Sequence, residues 1–130
     1  MNKRLQRRKR QATPDELAAE EVERLLAVLP PALRERAREI PVTLETEPTP
    51  AMIADGIAPD TLGLFVGDEY AQSGGGDALP TQIILFLGNL WDLAEADVAL
   101  FRREVRKTVL HELGHFLGLD EADLEARHLD

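Results

Sequence analysis

The chain has 130 residues, no cysteine, three histidines and a formal charge of −9 at pH 7. That length suits one hydrophobic core and not two, and the lack of cysteine excludes disulfides, thiolate metal sites and cysteine nucleophiles. Six of the fifteen basic residues fall within the first ten positions, which leaves the remainder too acidic for nucleic acid to be its main partner.

Residues 1–11 read as a basic, solvated arm ahead of a single domain spanning 12–130. No apolar run follows Lys3, Arg4, Arg7, Arg8, Lys9 and Arg10, so neither an export signal nor a membrane span is expected, and the cytoplasm is the expected compartment. Thr13-Pro14-Asp15-Glu16 has the form of a helix start: a Thr cap, Pro at the first helical position and Glu three residues after the cap. The helix should run to about Leu29, with Leu17, Val22, Leu25, Leu26 and Val28 as the apolar stripe that packs on a sheet and Pro30-Pro31 as its stop. A shorter helical piece is expected around Ala32 to Glu39.

From Ile40 to Glu47 apolar and polar residues alternate after Pro41, which predicts a strand with Val42 and Leu44 turned inward, lying at an edge or beginning at the proline. Pro48 ends it, and Thr49-Pro50 should cap a short helix through Ala54. Thr61 to Val66 and Gln82 to Leu87, rich in Ile, Leu and Phe, predict two further strands. Between them, Ser73-Gly74-Gly75-Gly76-Asp77 is a loop, and Asp68 to Gln72 a short exposed strand. Asp92 with Glu95 is expected to begin the last helical region, which continues from about Asp97 through Leu117 and ends at Gly118, a residue that enters the left-handed conformation without steric cost. Arg102, Arg103 and Arg106 read as a solvated face of that helix.

Within it stands His111-Glu112-Leu113-Gly114-His115. Side chains four apart on a helix lie about 40° apart around its axis, so both imidazoles can face one ion, as zinc requires. Glu112, roughly 100° round from His111, is too far round to ligate easily but can reach a water on that ion. With three histidines and fourteen glutamates in the chain, chance alone would produce such a motif roughly once in a hundred comparable sequences, so the flanks must add weight. They do: Val105, Thr108, Val109, Leu110, Leu113, Phe116 and Leu117 surround the motif at helical spacing and predict a helix buried on most sides. Two imidazoles and a carboxylate in such a setting need partners, and a cation supplies them.

The segment from His111 to Glu121, H-E-L-G-H-F-L-G-L-D-E, resembles the H-E-x-x-H-x-x-G-x-x-(H/D) motif of the zincin metallopeptidases. Its third ligand position falls on Glu121, where glutamate replaces the family's histidine or aspartate; Asp120, Asp123 and His128 are rivals for that role. The only methionines, Met1 and Met52, precede the motif, so the methionine turn of metzincins is missing. The chain is more similar to the small bacterial single-domain zincin-like metallopeptidases. The likeness runs from the Thr13 helix through Leu33-Arg34-Glu35, Glu47-Pro48-Thr49-Pro50, Leu62-Gly63-Leu64-Phe65 and Leu79-Pro80 to Val105-Arg106-Lys107-Thr108-Val109-Leu110.

That resemblance implies an α+β fold in which a small mixed sheet packs against the N-terminal helix and the motif helix. It implies zinc held by His111, His115 and Glu121, and hydrolysis of peptide or protein substrates aligned on an exposed strand. Water in an open fourth position would give its proton to Glu112, which returns it to the leaving amine. Tyr70, the single tyrosine, is the one candidate for stabilising the oxyanion as tyrosines do in zincins. Two alternatives stand beside this reading: a protein that holds a cation without turnover, and a module that binds peptides through the strand alone.

Overall fold

The computed structural model describes residues 12–67, 81–119 and 122. Its first element, α1 (Pro14–Val28), starts as expected: the Thr13 side chain accepts from the Glu16 amide and the Glu16 carboxylate accepts from the Thr13 amide. Its buried side is Leu17, Ala18, Glu21, Leu25 and Leu26, whereas Val28, expected in that stripe, is 70% exposed. The chain turns at Leu29-Pro30 into α2 (Pro31–Ala37). Arg34 fastens that turn by donating to the carbonyls of Leu26, Ala27 and Leu29 at the end of α1, where helical amides run out and the Leu26 carbonyl also accepts from the Leu29 amide.

Three strands follow, β1 (Val42–Glu45), β2 (Gly63–Val66) and β3 (Gln82–Phe86), with α3 (Pro50–Ala54) between the first two and capped by Thr49. They form a mixed sheet in the order β1-β3-β2, β1 parallel and β2 antiparallel to β3. All five residues of β3 are buried, as expected of a central strand covered on both faces, and this accounts for its unbroken apolar run. Ile83 and Leu85 join the larger core; Ile84 and Phe86 point the other way, into a smaller cluster with Val66 and Met52. Val42 and Leu44 pack inward on the larger core, and β1 is an edge strand that starts just after Pro41, whose carbonyl accepts from the Ile83 amide.

After β3 the structure departs from expectation. Leu87, expected to end the strand, instead begins α4 (Leu87–Leu93), so Asp92 lies inside a helix and does not start one. Glu95 and Ala96 both take positive φ, 53° and 61°, and this two-residue reversal leads to Asp97, the true cap of α5 (Val98–Leu117) through its bond from the Leu100 amide. No glycine marks the reversal, so local sequence gave no warning of it. Trp91 of α4 meets Phe101 of α5 edge to face, ring centroids 5.1 Å apart.

α5 is the central rod of the fold: Phe101, Val105, Val109, Leu110, Leu113 and Leu117 are buried in the larger core with Ile83 and Leu85 of the sheet and Leu17, Ala18, Leu25 and Leu26 of α1. Arg102 does not sit on a solvated face. It donates to Glu20 at 2.9 Å and to the buried Glu21 at 3.2 Å, joining α1 to α5, with Arg24 and Arg106 also within 4 Å of Glu21. These two carboxylates hold the Arg102 guanidinium above its already high ordinary pKa. Among the described residues no helix is long and apolar enough to cross a membrane.

Candidate metal centre and catalytic carboxylate

His111 and His115 lie in the last turns of α5, on its exposed side. The helix is therefore dry on most sides, as its flanks imply, and open on the one that carries the imidazoles. The two ring centroids are 4.9 Å apart and the planes 57° to each other. Zinc–nitrogen bonds of about 2.0–2.1 Å at the tetrahedral angle place two ligating imidazole centroids roughly 5 Å apart, so the pair fits one ion by separation and by donor type.

The residues expected to complete the site do not all fall within the described structure. Glu121, its rivals Asp120, Asp123 and His128, the candidate Tyr70, the strand expected at Asp68 to Gln72, the Ser73–Asp77 loop and the 1–11 arm all lie outside it. Among the described residues no three His, Asp or Glu side chains are gathered closely enough to hold an ion. Gly118 does terminate α5, with φ 74° and ψ 27°. The next amide, that of Leu119, bonds back to the Gly114 carbonyl at 2.7 Å, and the Leu119 side chain packs on the core, so the chain reverses at that point as the glycine predicts.

Glu112 faces differently from its histidine neighbours. It is only 8% exposed, and its Oε1 accepts a hydrogen bond of 3.0 Å from the backbone N–H of Phe65 in β2. Its Oε2 lies 3.9 Å from His111 Nε2. Pairing parity explains why Phe65 has an amide to offer. Since Phe86 N–H donates to Leu62 C=O and Leu62 through Val66 oppose Phe86 through Gln82, the mutually bonded positions of β2 alternate from Leu62, and Gly63 and Phe65 direct their amides to the outer edge. Among the described residues no strand pairs with that edge.

β2 follows one ridge of α5. Gly63 sits over Thr108, the Phe65 amide over Glu112, and the Phe65 ring meets the Phe116 ring at 6.0 Å. Thr108, Glu112 and Phe116 are spaced four apart, about 6.0 Å of helix per step, while two strand residues advance about 6.6–6.8 Å. The two elements therefore keep step over this span. Asn89 fixes where β2 begins by donating to the carbonyls of Pro59 and Thr61. Beside the ridge, Leu62, Gly63, Glu104, Lys107, Thr108, His111 and Glu112 line an open cleft of about 410 Å³.

Burial pushes the Glu112 carboxyl above the ordinary carboxylate range, and the two imidazoles and the Phe65 amide only partly offset it. Without metal, the folded protein therefore keeps this proton to higher pH than the unfolded chain does. The folded state is penalised increasingly as pH rises through the window between the ordinary and the raised value. Metal-free Glu112→Gln should accordingly be more stable than wild type at pH 7, with the advantage shrinking as pH falls through that window and gone below the ordinary carboxylate range. Urea midpoints at a series of pH values measure this, and equal midpoints at pH 7 would refute it.

A helix that presents two imidazoles and a carboxylate beneath an edge strand, within a small α+β fold, is an arrangement of the zincin class. The chain matches the zincin-like metallopeptidase family over residues 37–129 and belongs to it. No curated protein matches the chain. The sequence singles out the histidine pair and Glu112 as candidates but not Gly63, the Phe65 amide or Thr108, which the structure places beside Glu112. The available signal was a lone glycine inside the strand pattern Leu62-Gly63-Leu64-Phe65, which marks a close backbone approach.

Proposed function

We propose that this protein is a zinc-dependent peptidase, with His111 and His115 as metal ligands, Glu121 as the third, and Glu112 as general base and acid. The observation that carries the reading is the state of Glu112: a buried carboxylate tethered by one oxygen to β2, its other oxygen 3.9 Å from His111, one of two exposed imidazoles whose separation fits one ion. Zinc bound there would supply Lewis acidity, acidifying water and polarising a carbonyl.

The chain's own part is to place the groups and move the proton. Glu112 takes the proton of the attacking water and delivers it to the departing amine. Its desolvated setting makes it a stronger base than a solvated carboxylate, which suits both halves of that task near neutral pH. The outer edge of β2, with which no strand pairs among the described residues, gives an extended peptide backbone groups to pair with beside this carboxylate, recognition that asks little of the peptide's side chains.

The test is hydrolysis of an unfolded polypeptide by the purified chain with one equivalent of Zn²⁺, followed by mass spectrometry of the products. Cleavage that chelation abolishes and added Zn²⁺ restores is the expected result. Stoichiometric zinc without cleavage of any polypeptide would favour a metal-holding protein without turnover. Peptide binding that is indifferent to zinc would favour a strand-pairing module.

A further inference from the structure

A Cβ built on Gly63 would lie 2.5 Å from Thr108 Cγ2, closer than packed atoms approach, while its next neighbours, Ile84 O and Leu85 Cδ2, stand at ordinary distances of 3.4 and 3.5 Å. A single methyl group therefore decides whether position 63 can carry a side chain. Two residues along the strand and four along the helix from this contact, the Phe65 amide holds Glu112 Oε1 at 3.0 Å. A strand is stiff over two residues, and the pairing with β3 fixes its register. A displacement imposed at Gly63 is therefore carried to Phe65, where a shift of a few tenths of an ångström already weakens a bond of this length.

We propose that Gly63 is a positioning residue: by omitting a side chain it seats β2 on Thr108, and this seating brings the Phe65 amide to the Glu112 carboxylate and fixes which of its oxygens is left to act. Gly63 bears on Glu112 through the backbone of its own strand. Its effect on turnover rests on the peptidase reading above; its effect on the Phe65–Glu112 bond does not.

Amide hydrogen exchange at Phe65 in the metal-free protein reads the bond directly, with the Leu64 amide, which pairing parity turns toward β3, as internal reference. Gly63→Ala should speed Phe65 exchange roughly tenfold or more, as expected when a hydrogen bond to a charged acceptor is lost, and leave Leu64 protected. Thr108→Ala removes the obstructing methyl, so the pair Gly63→Ala/Thr108→Ala should return Phe65 to the wild-type rate. In zinc-loaded protein, Gly63→Ala should lower kcat with zinc content unchanged, and the pair should recover it.

Unaltered Phe65 protection in Gly63→Ala, or no recovery in the pair, overturns the proposal. If Gly63→Ala alone does not fold, a folded pair with wild-type Phe65 protection supports it and a pair that also fails overturns it. Glu112→Ala provides a further check: Phe65 exchange should rise while Leu64 stays protected, and a Phe65 amide equally protected without Glu112 overturns the proposal. Should no peptide be cleaved by any form, the exchange results still decide the matter.

Discussion

Glu112→Gln is expected to keep one zinc ion per chain and to lose peptide hydrolysis by about 10²–10⁴-fold, the range over which a positioned general acid–base acts. Glutamine has nearly the same shape, and its carbonyl oxygen can accept the Phe65 amide as Glu112 Oε1 does now, so β2 and α5 should stay in register. What it lacks is a basic atom in place of Oε2, the oxygen turned toward His111. Metal analysis and initial rates on one preparation separate the two effects. A variant that binds zinc and cleaves within a factor of two of wild type would remove Glu112 from the chemistry.

Replacing either imidazole has the complementary outcome. His111→Ala or His115→Ala is expected to weaken zinc binding by more than the 10–100-fold typical of losing an outer-shell partner, because on the proposed reading each removes a direct donor. The fold should survive, since both rings lie on the exposed side of α5 and the buried residues of that helix are others. Competition against a chromogenic chelator measures the affinity. Wild-type affinity in both variants would place the ion elsewhere, whatever the peptidase assay shows.

Much of this arrangement was legible because local rules govern it. The Thr13 and Thr49 caps, the prolines that open α1 and α3, and the Gly118 terminator each work within a few residues of chain. The histidine pair was legible for the same reason, being one helical turn apart. Where the decisive partner lay far along the chain, the pattern was silent. Phe65 is 47 residues from Glu112, and Arg102 is 81 from Glu21, so the first looked like a strand residue and the second like a solvated charge. α4 was hidden differently: Leu87 continues the apolar run of β3, whereas in the fold Leu87 and Leu90 pack into the core from a helix.

The family match begins at residue 37, whereas α1 ends at Val28. The rod bearing the histidines nonetheless shares its core with Leu17, Ala18, Leu25 and Leu26 and hands its Arg102 guanidinium to Glu20 and Glu21. The boundaries by which kinship is recognised are thus narrower than those within which this molecule coheres. Trimmed to the recognisable portion, it would keep every motif residue while stripping the reverse side of their helix of its shelter from water.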